Sequence, residues 1–213
     1  MKNRKGIIIL LSKPIISVFG RSRTMKKEIK DLYDLWLKKT EGCAELHDEL
    51  AAIEGKEDEI SDRFYRALEF GTGGLRGVLG AGTNRMNVFT VNQATQGLAD
   101  YLNAKYDSPS VAIAHDSRIN SDVFARGAAG VLAANGIKVY IYPELVPTPM
   151  LSFAVRRLHC SSGIIITASH NPAKYNGYKC YSHEGYQMTD AEANATYAVS
   201  YTHLRAHETC ADL

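Results

Sequence analysis

The sequence predicts an α/β domain with a largely parallel sheet and helices on both faces, and three observations carry this. Short β-branched runs alternate with amphipathic stretches through residues 90–166. Each run gives out at small or polar residues rather than at a hairpin signal, as in Ile164-Ile165-Ile166 followed by Thr167-Ala168-Ser169. The β-α-β-α-β succession then favours parallel strands joined by right-handed crossovers.

Taken in order, the chain opens with basic residues around Ile7-Ile8-Ile9-Leu10-Leu11, interrupted by Lys13-Pro14 and followed by no small-residue cleavage site. Residues 1–24 are therefore expected to be a non-native or disordered extension, with Met25 opening the protein proper. Ile29, Leu32, Tyr33, Trp36 and Leu37 share one helical face. Ile60, Phe64, Ala67 and Leu68 share another, with Glu57, Asp58 and Glu59 at its favourable N-terminal end. Glycine-rich residues 70–77 are expected to end that helix as a loop. A third helix, capped by Thr90, presents Val91, Ala94, Leu98, Ala99 and Leu102 inward. A strand at Val111-Ala112-Ile113-Ala114 ends at His115-Asp116-Ser117-Arg118. Ser121 caps the next helix and Gly136 stops it. A strand over 137–142, a helix after Pro147-Thr148-Pro149, the Ile164 strand and an extended segment from Asn176 complete the pattern. Gln187-Met188-Thr189-Asp190 starts another capped helix.

Size and charge narrow the function. The 213 residues suit one sizeable α/β domain, with 45% hydrophobic and 23% charged residues. The net charge is +2, but residues 1–24 hold six basic residues and no acid, leaving −4 on the remainder. That balance argues against a nucleic-acid surface. The cysteines at 43, 160, 180 and 210 show no C-x-x-C pair, so reduced thiols in a cytoplasmic protein are expected. No apolar run approaches the ~20 residues of a membrane span, so no membrane partner is expected.

Two stretches carry candidate chemistry. Ser169 lies on the first loop past a strand end, where open α/β sheets place ligands, and Lys179 follows on the next extended segment. A hydroxyl, an imidazole at His170 and an ammonium there would suit a phosphate or nucleophile site, although S-H-N-P is equally a common turn. The glycine-rich stretch cannot be a dinucleotide fingerprint, because Arg76 stands where a third glycine is required and a helix precedes it. It is either a flexible connector or an anion-handling loop in which glycines admit a phosphate and Arg76 offers a fork. Arg118, at another strand end, either supports the site or makes a structural ion pair. His203 and His207 have metal-ligand spacing but no third ligand nearby. A serine hydrolase is disfavoured, because G-x-S-x-G is absent and adjacent Ser169 and His170 side chains should diverge.

T-A-S-H-N-P-x-x-Y-N-G-Y-K over residues 167–179 resembles, without a gap, the phosphoserine loop of the α-D-phosphohexomutases, the phosphoglucomutase and phosphomannomutase family. F-G-T-G-G-L-R-G over 70–77 resembles the first active-site segment of the same family, in the right order. The helical lead-in and N-G-Y-K resemble the α-phosphoglucomutase branch. The resemblance covers roughly residues 25–197. It implies that 25–198 form the first of four domains, a three-layer α/β/α unit with a mostly parallel mixed sheet, and that 199–213 are an unrelated tail.

That family interconverts hexose 1-phosphates and 6-phosphates through a phosphoserine and a sugar bisphosphate. The resemblance assigns Ser169 as the phosphoserine, Lys179 and Arg76 to proton transfer and charge stabilisation, and His170 to hydrogen bonding. Thr72, Gly73, Arg76, Asn171 and Lys179 become the phosphate-binding set. A magnesium ion is implied, with Ser169 contributing a ligand through its phosphate, but the aspartate-rich D-G-D-x-D-R loop that supplies the other ligands is not in this sequence. The expectation is thus a monomeric mutase domain with a hexose phosphate substrate and little turnover of its own. The alternative is a non-catalytic phosphosugar-binding module or an inert fragment.

Overall fold

The computed structural model describes residues 25–71, 73–189 and 192. The expectations for residues 1–24, Thr72, the histidines at 203 and 207 and the tail from 199 lie outside the described residues. In chain order the elements are α1 (Lys27–Lys39), α2 (Ala44–Ala51), α3 (Glu57–Phe64), β1 (Gly74–Val78), α4 (Val88–Lys105), β2 (Ser110–His115), α5 (Ser121–Ala134), β3 (Lys138–Ile141), α6 (Thr148–Arg157), β4 (Ser162–Ile166) and β5 (Tyr175–Ser182).

The five strands form one mixed sheet in the order β1-β5-β4-β2-β3. β4 and β3 run parallel to β2, as the crossover helices require, while β5 is antiparallel to both β4 and β1. Alternation along the strands divides the core. Val111 and Ile113, Ile164 and Ile166, and Tyr178 and Cys180 pack against α4 and α5. Ala112, Ala114 and Ile165 point the other way, onto Leu151, Ala154 and Val155 of α6. Helices therefore cover both faces, giving the α/β/α layering. A separate cluster joins α1, α2 and α3 through Tyr33, Leu50, Ile60 and Phe64. Phe64 meets Tyr33 and Trp36 edge-on at 6.0 and 5.7 Å between ring centroids.

Several local expectations change. The glycine-rich stretch is not all loop, because residues 74–78 form edge strand β1. Glycine is required at Gly74, where a Cβ would lie 2.1 Å from the Tyr178 carbonyl oxygen. The helix expected to reach Leu68 ends at Phe64, and Leu68 packs on the main core instead. Asn87, not Thr90, caps α4. Its side chain accepts from the Thr90 N–H at 3.0 Å, while the Thr90 hydroxyl accepts from the Asn87 N–H at 3.1 Å. Ser121 is the first residue of α5 and donates its hydroxyl to Asp116 instead of capping. Gly136, at φ 75°, does follow the last turn of α5. Thr189 and Glu192 make the contact of a capping box, and the rest of that helix lies outside the described residues. Cys160 and Cys180 are buried free thiols, but Cys43 is disulfide-bonded, contrary to the expectation of reduced thiols throughout.

Candidate functional site at the end of β4

β4 ends at Ile166, and Thr167 makes one further pairing, its N–H donating to the Gly177 carbonyl at 2.9 Å. The chain then leaves the sheet as a seven-residue loop, 168–174, and returns at Tyr175. Ser169 sits on this loop, exposed, with φ 55°. Its N–H donates to Thr167 Oγ1 at 3.0 Å, and its hydroxyl lies 3.4 Å from His170 Nδ1. The expected divergence of the two side chains is therefore not observed, because the left-handed backbone at Ser169 turns them together. The contact is long for an O–H···N bond, and no carboxylate among the described residues hydrogen-bonds the ring to orient it. Asn171 closes the turn, with both its N–H and its side-chain amide donating to the Ala168 carbonyl, at 3.1 and 2.8 Å.

Strand register places the two cations assigned to the site. In β1, Arg76 lies opposite Gly177, which in turn is level with Thr167; Lys179 lies opposite Gly74 and Ile165. Alternation puts Arg76, Gly177 and Lys179 on one face, and a diagonal pair of this kind is about 7–8 Å apart at Cα. This is the face that α6 covers over β2 and β4. Arg76 is exposed and Lys179 half-buried. Neither side chain has a hydrogen bond or ion pair among the described residues, in contrast to Arg63, Arg85 and Arg118. Gly177 leaves the surface between them low, since a Cβ there would meet the Thr167 carbonyl oxygen at 2.6 Å.

Gly73, at φ 69°, has a packing reason to be glycine. Its carbonyl accepts from the Cys180 N–H at 2.8 Å, and a Cβ would lie 2.8 Å from Met188 O.

Behind the loop is a network that sequence reading left half-seen. Arg118 combines both roles held open for it. Its guanidinium donates to four carbonyls of the Ser169 loop and lies 3.5 Å from Asp116 Oδ2 through Nε. Asp116 Oδ1 accepts from the Arg118 N–H at 2.9 Å and from the Ser121 hydroxyl at 2.8 Å. Buried Asn176 donates to Ser121 Oγ and to the Ile119 carbonyl, both at 3.0 Å. The only sequence signal for this network was H-D-S-R at a strand end.

The loop displays a hydroxyl and a neighbouring imidazole, and β1 and β5 carry two cations unpartnered among the described residues, a set that suits an anion of phosphate type. It does not offer a metal cage. Among the described residues no group of three or more His, Cys, Asp or Glu could hold a metal ion, and the nearby Asp116 is already engaged. The described residues thus do not by themselves fit a magnesium ion. No helix among them is long and apolar enough to cross a membrane.

Comparison with known proteins agrees with the geometry. The family model described as phosphoglucomutase/phosphomannomutase, alpha/beta/alpha domain I, matches residues 67–203. A phosphoglucomutase of Staphylococcus aureus (strain USA300) is 43% identical over 169 residues, covering 73% of this chain and 31% of the relative. The phosphoglucomutase of strain MRSA252 is 44% identical over 175 residues, covering 81% and 30%. Among solved structures, a provisionally assigned phosphomannomutase of Thermus thermophilus aligns with TM-score 0.59 at 36% identity, over 63% of this chain and 30% of that one. A phosphoglucomutase/phosphomannomutase family protein of Burkholderia thailandensis aligns with TM-score 0.54 at 25% identity, over 62% and 30%. The chain spans about 31% of the length of the curated relatives it matches. With more than half of its residues inside the family model and the Ser169 loop at the end of β4, the chain belongs to the phosphoglucomutase/phosphomannomutase family and carries its alpha/beta/alpha domain I.

Proposed function

We propose that this chain is the phosphoserine-bearing part of a phosphoglucomutase acting between glucose 1-phosphate and glucose 6-phosphate in the cytoplasm. Ser169 carries the phosphoryl group. In the forward half-reaction the Ser169 Oγ–P bond breaks and a bond forms between phosphorus and a free hydroxyl oxygen of the sugar phosphate, whose proton passes by way of the Lys179 amine to the departing Ser169 Oγ. The bisphosphate then returns its other phosphoryl group to Ser169, and the Ser169 hydroxyl proton passes back by way of Lys179 to the released sugar oxygen. Arg76 offsets the charge spread over the phosphoryl oxygens, and His170 orients the Ser169 oxygen. Gly73 and Asn171 shape the surface that accepts the phosphate.

The observation that supports this reading most is the pairing of an exposed left-handed Ser169 with two cations that nothing else in the described chain uses. Phosphoryl transfer needs positioning and positive charge more than covalent help, and this face supplies both. Ser169 would give a magnesium ion one phosphate oxygen. Since the described residues offer no further ligand group, no step is routed through the metal and turnover by this chain alone is expected to be slight.

The test is single-step transfer rather than turnover. The purified chain is incubated with glucose 1,6-bisphosphate and its intact mass followed. One added phosphoryl group, mapped to Ser169 and lost in Ser169→Ala, supports the mutase reading. Binding of glucose 6-phosphate without transfer, unchanged in Ser169→Ala, replaces it with a non-catalytic phosphosugar-binding module.

A further inference from the structure

After the Thr167 pairing, the loop to Tyr175 makes no further pairing with β4, and its Lys174 carbonyl accepts from the Leu79 N–H at 2.8 Å just past β1. Yet Ser169 is kept at φ 55°, a backbone that a non-glycine residue adopts only where its surroundings impose it. The internal bonds, from Ser169 N–H to Thr167 and from Asn171 and Tyr175 N–H to Ala168 and Pro172, close local turns. They leave the carbonyls of Ser169, Asn171 and Tyr175 to be oriented from outside, and the Pro172 carbonyl takes a second donor from outside as well. All four accept from Arg118: Nη2 donates to Ser169 O and Asn171 O, both at 2.6 Å, and Nη1 to Pro172 O at 3.2 Å and Tyr175 O at 3.1 Å.

Arg118 is itself fixed. Its side chain is only 15% exposed, with Asp116 on its Nε and on its backbone N–H. Asp116 is bound by Ser121, which Asn176 holds from the start of β5. One planar fork thus ties both ends of the loop to the β2–α5 connection. A lysine would bring a point charge on a flexible stem and could not span four acceptors in fixed directions.

We propose that Arg118 is the positioning residue of this loop: its guanidinium, committed to four backbone carbonyls and Asp116, holds Ser169 in the left-handed conformation that presents its hydroxyl, and does not bind the transferred phosphoryl group. The catalytic half of this statement rests on Ser169 being the phosphoryl acceptor.

Two measurements on the full chain test it, with Arg118→Met and Arg118→Lys beside the parent. In Arg118→Met, amide hydrogen exchange at Ser169, Asn171 and Tyr175 should quicken by at least ~10-fold while β2, β4 and β5 keep their protection; unchanged loop exchange overturns the proposal. Transfer from glucose 1,6-bisphosphate to Ser169 should slow by ~100-fold, the order expected for a misplaced reacting group. Added methylguanidinium should recover part of that loss and Arg118→Lys little, whereas a role in stability alone would respond to neither. Transfer at the parental rate in Arg118→Met overturns the proposal. If the loop loosens but the parent itself takes no phosphoryl group, the phosphoserine reading falls and Arg118 as holder of the loop stands. If Arg118→Met does not fold, Arg118→Lys decides by the same two readouts.

Discussion

β5 has two faces, and they do opposite work. Tyr178 and Cys180 point into the core beside α4 and α5 and are wholly buried. Lys179, between them, points to the other face, where Arg76 stands on the neighbouring strand and neither cation is partnered among the described residues. A strand alternates strictly, so successive residues here are assigned to folding and to chemistry with almost no overlap. Stability and anion binding should therefore separate by parity along a few residues, and substitutions at adjacent positions are the sharpest way to challenge that.

The largest effect is expected at Tyr178. Truncation to alanine removes a fully buried ring from the centre of the main cluster and should cost about 3–5 kcal/mol, measured by urea unfolding. Lys179→Ala, one residue away, should fall within about 0.5 kcal/mol of the parent, as surface changes usually do. Comparable losses at the two positions would break the comparison.

Gly74→Ala comes next. Its new Cβ would stand 2.1 Å from the Tyr178 carbonyl oxygen, so β1 must pull away from β5. The expected cost is about 1–3 kcal/mol, as for other overpacked sites. Because β1 also carries Arg76, phosphate affinity should fall with stability here, and unchanged affinity would show that Arg76 does not depend on the β1 register.

How far the sequence revealed these features follows from the same physics. β2 and β4 were legible because β-branched runs buried on both faces leave an unbroken apolar signature, and Ser169 was placed past a strand end by the loss of that signature. β1 was not legible: G-L-R-G-V has a glycine where the backbone must approach the Tyr178 carbonyl, and glycine reads locally as loop. Arg76 was consequently assigned to a loop when it is on an edge strand. The Arg118 clamp was undecided, because its acceptors are main-chain carbonyls more than 50 residues downstream, which no residue type advertises. The cap of α4 was misplaced by three residues because either member of an Asn87–Thr90 capping box looks like the cap.

A third contrast concerns alkaline pH. Burial pushes the Cys180 thiol up to about 12 and the Tyr178 phenol well above its ordinary value. Both groups ionise more easily once unfolded, so the folded state is favoured below the unfolded pKa values and loses ground as pH rises above them. For Cys180 the window runs from its ordinary value of 9.0 to about 12, at roughly 1 kcal/mol per pH unit. Denaturation midpoints measured across that range should fall, and Cys180→Ala should flatten the slope; a slope unchanged in Cys180→Ala would remove the thiol from the account. Native Cys180 should also resist alkylation, since the thiolate is the reactive form.

The smallest effect on folding belongs to the open face, and there the affinity change decides the matter. Arg76→Ala and Lys179→Ala each delete a cation with no partner to strand among the described residues, so unfolding free energies should move by less than about 0.5 kcal/mol. Inorganic phosphate binding, followed by chemical shifts of the Ser169 loop, should weaken by about 10-fold for each, the range of a charge-assisted contact. The double variant should lose more than either single one if both cations face the same anion. If either single variant binds phosphate as the parent does, that cation serves a different ligand, and the assignment of Arg76 and Lys179 to a single phosphoryl group must be redrawn around the one that counts.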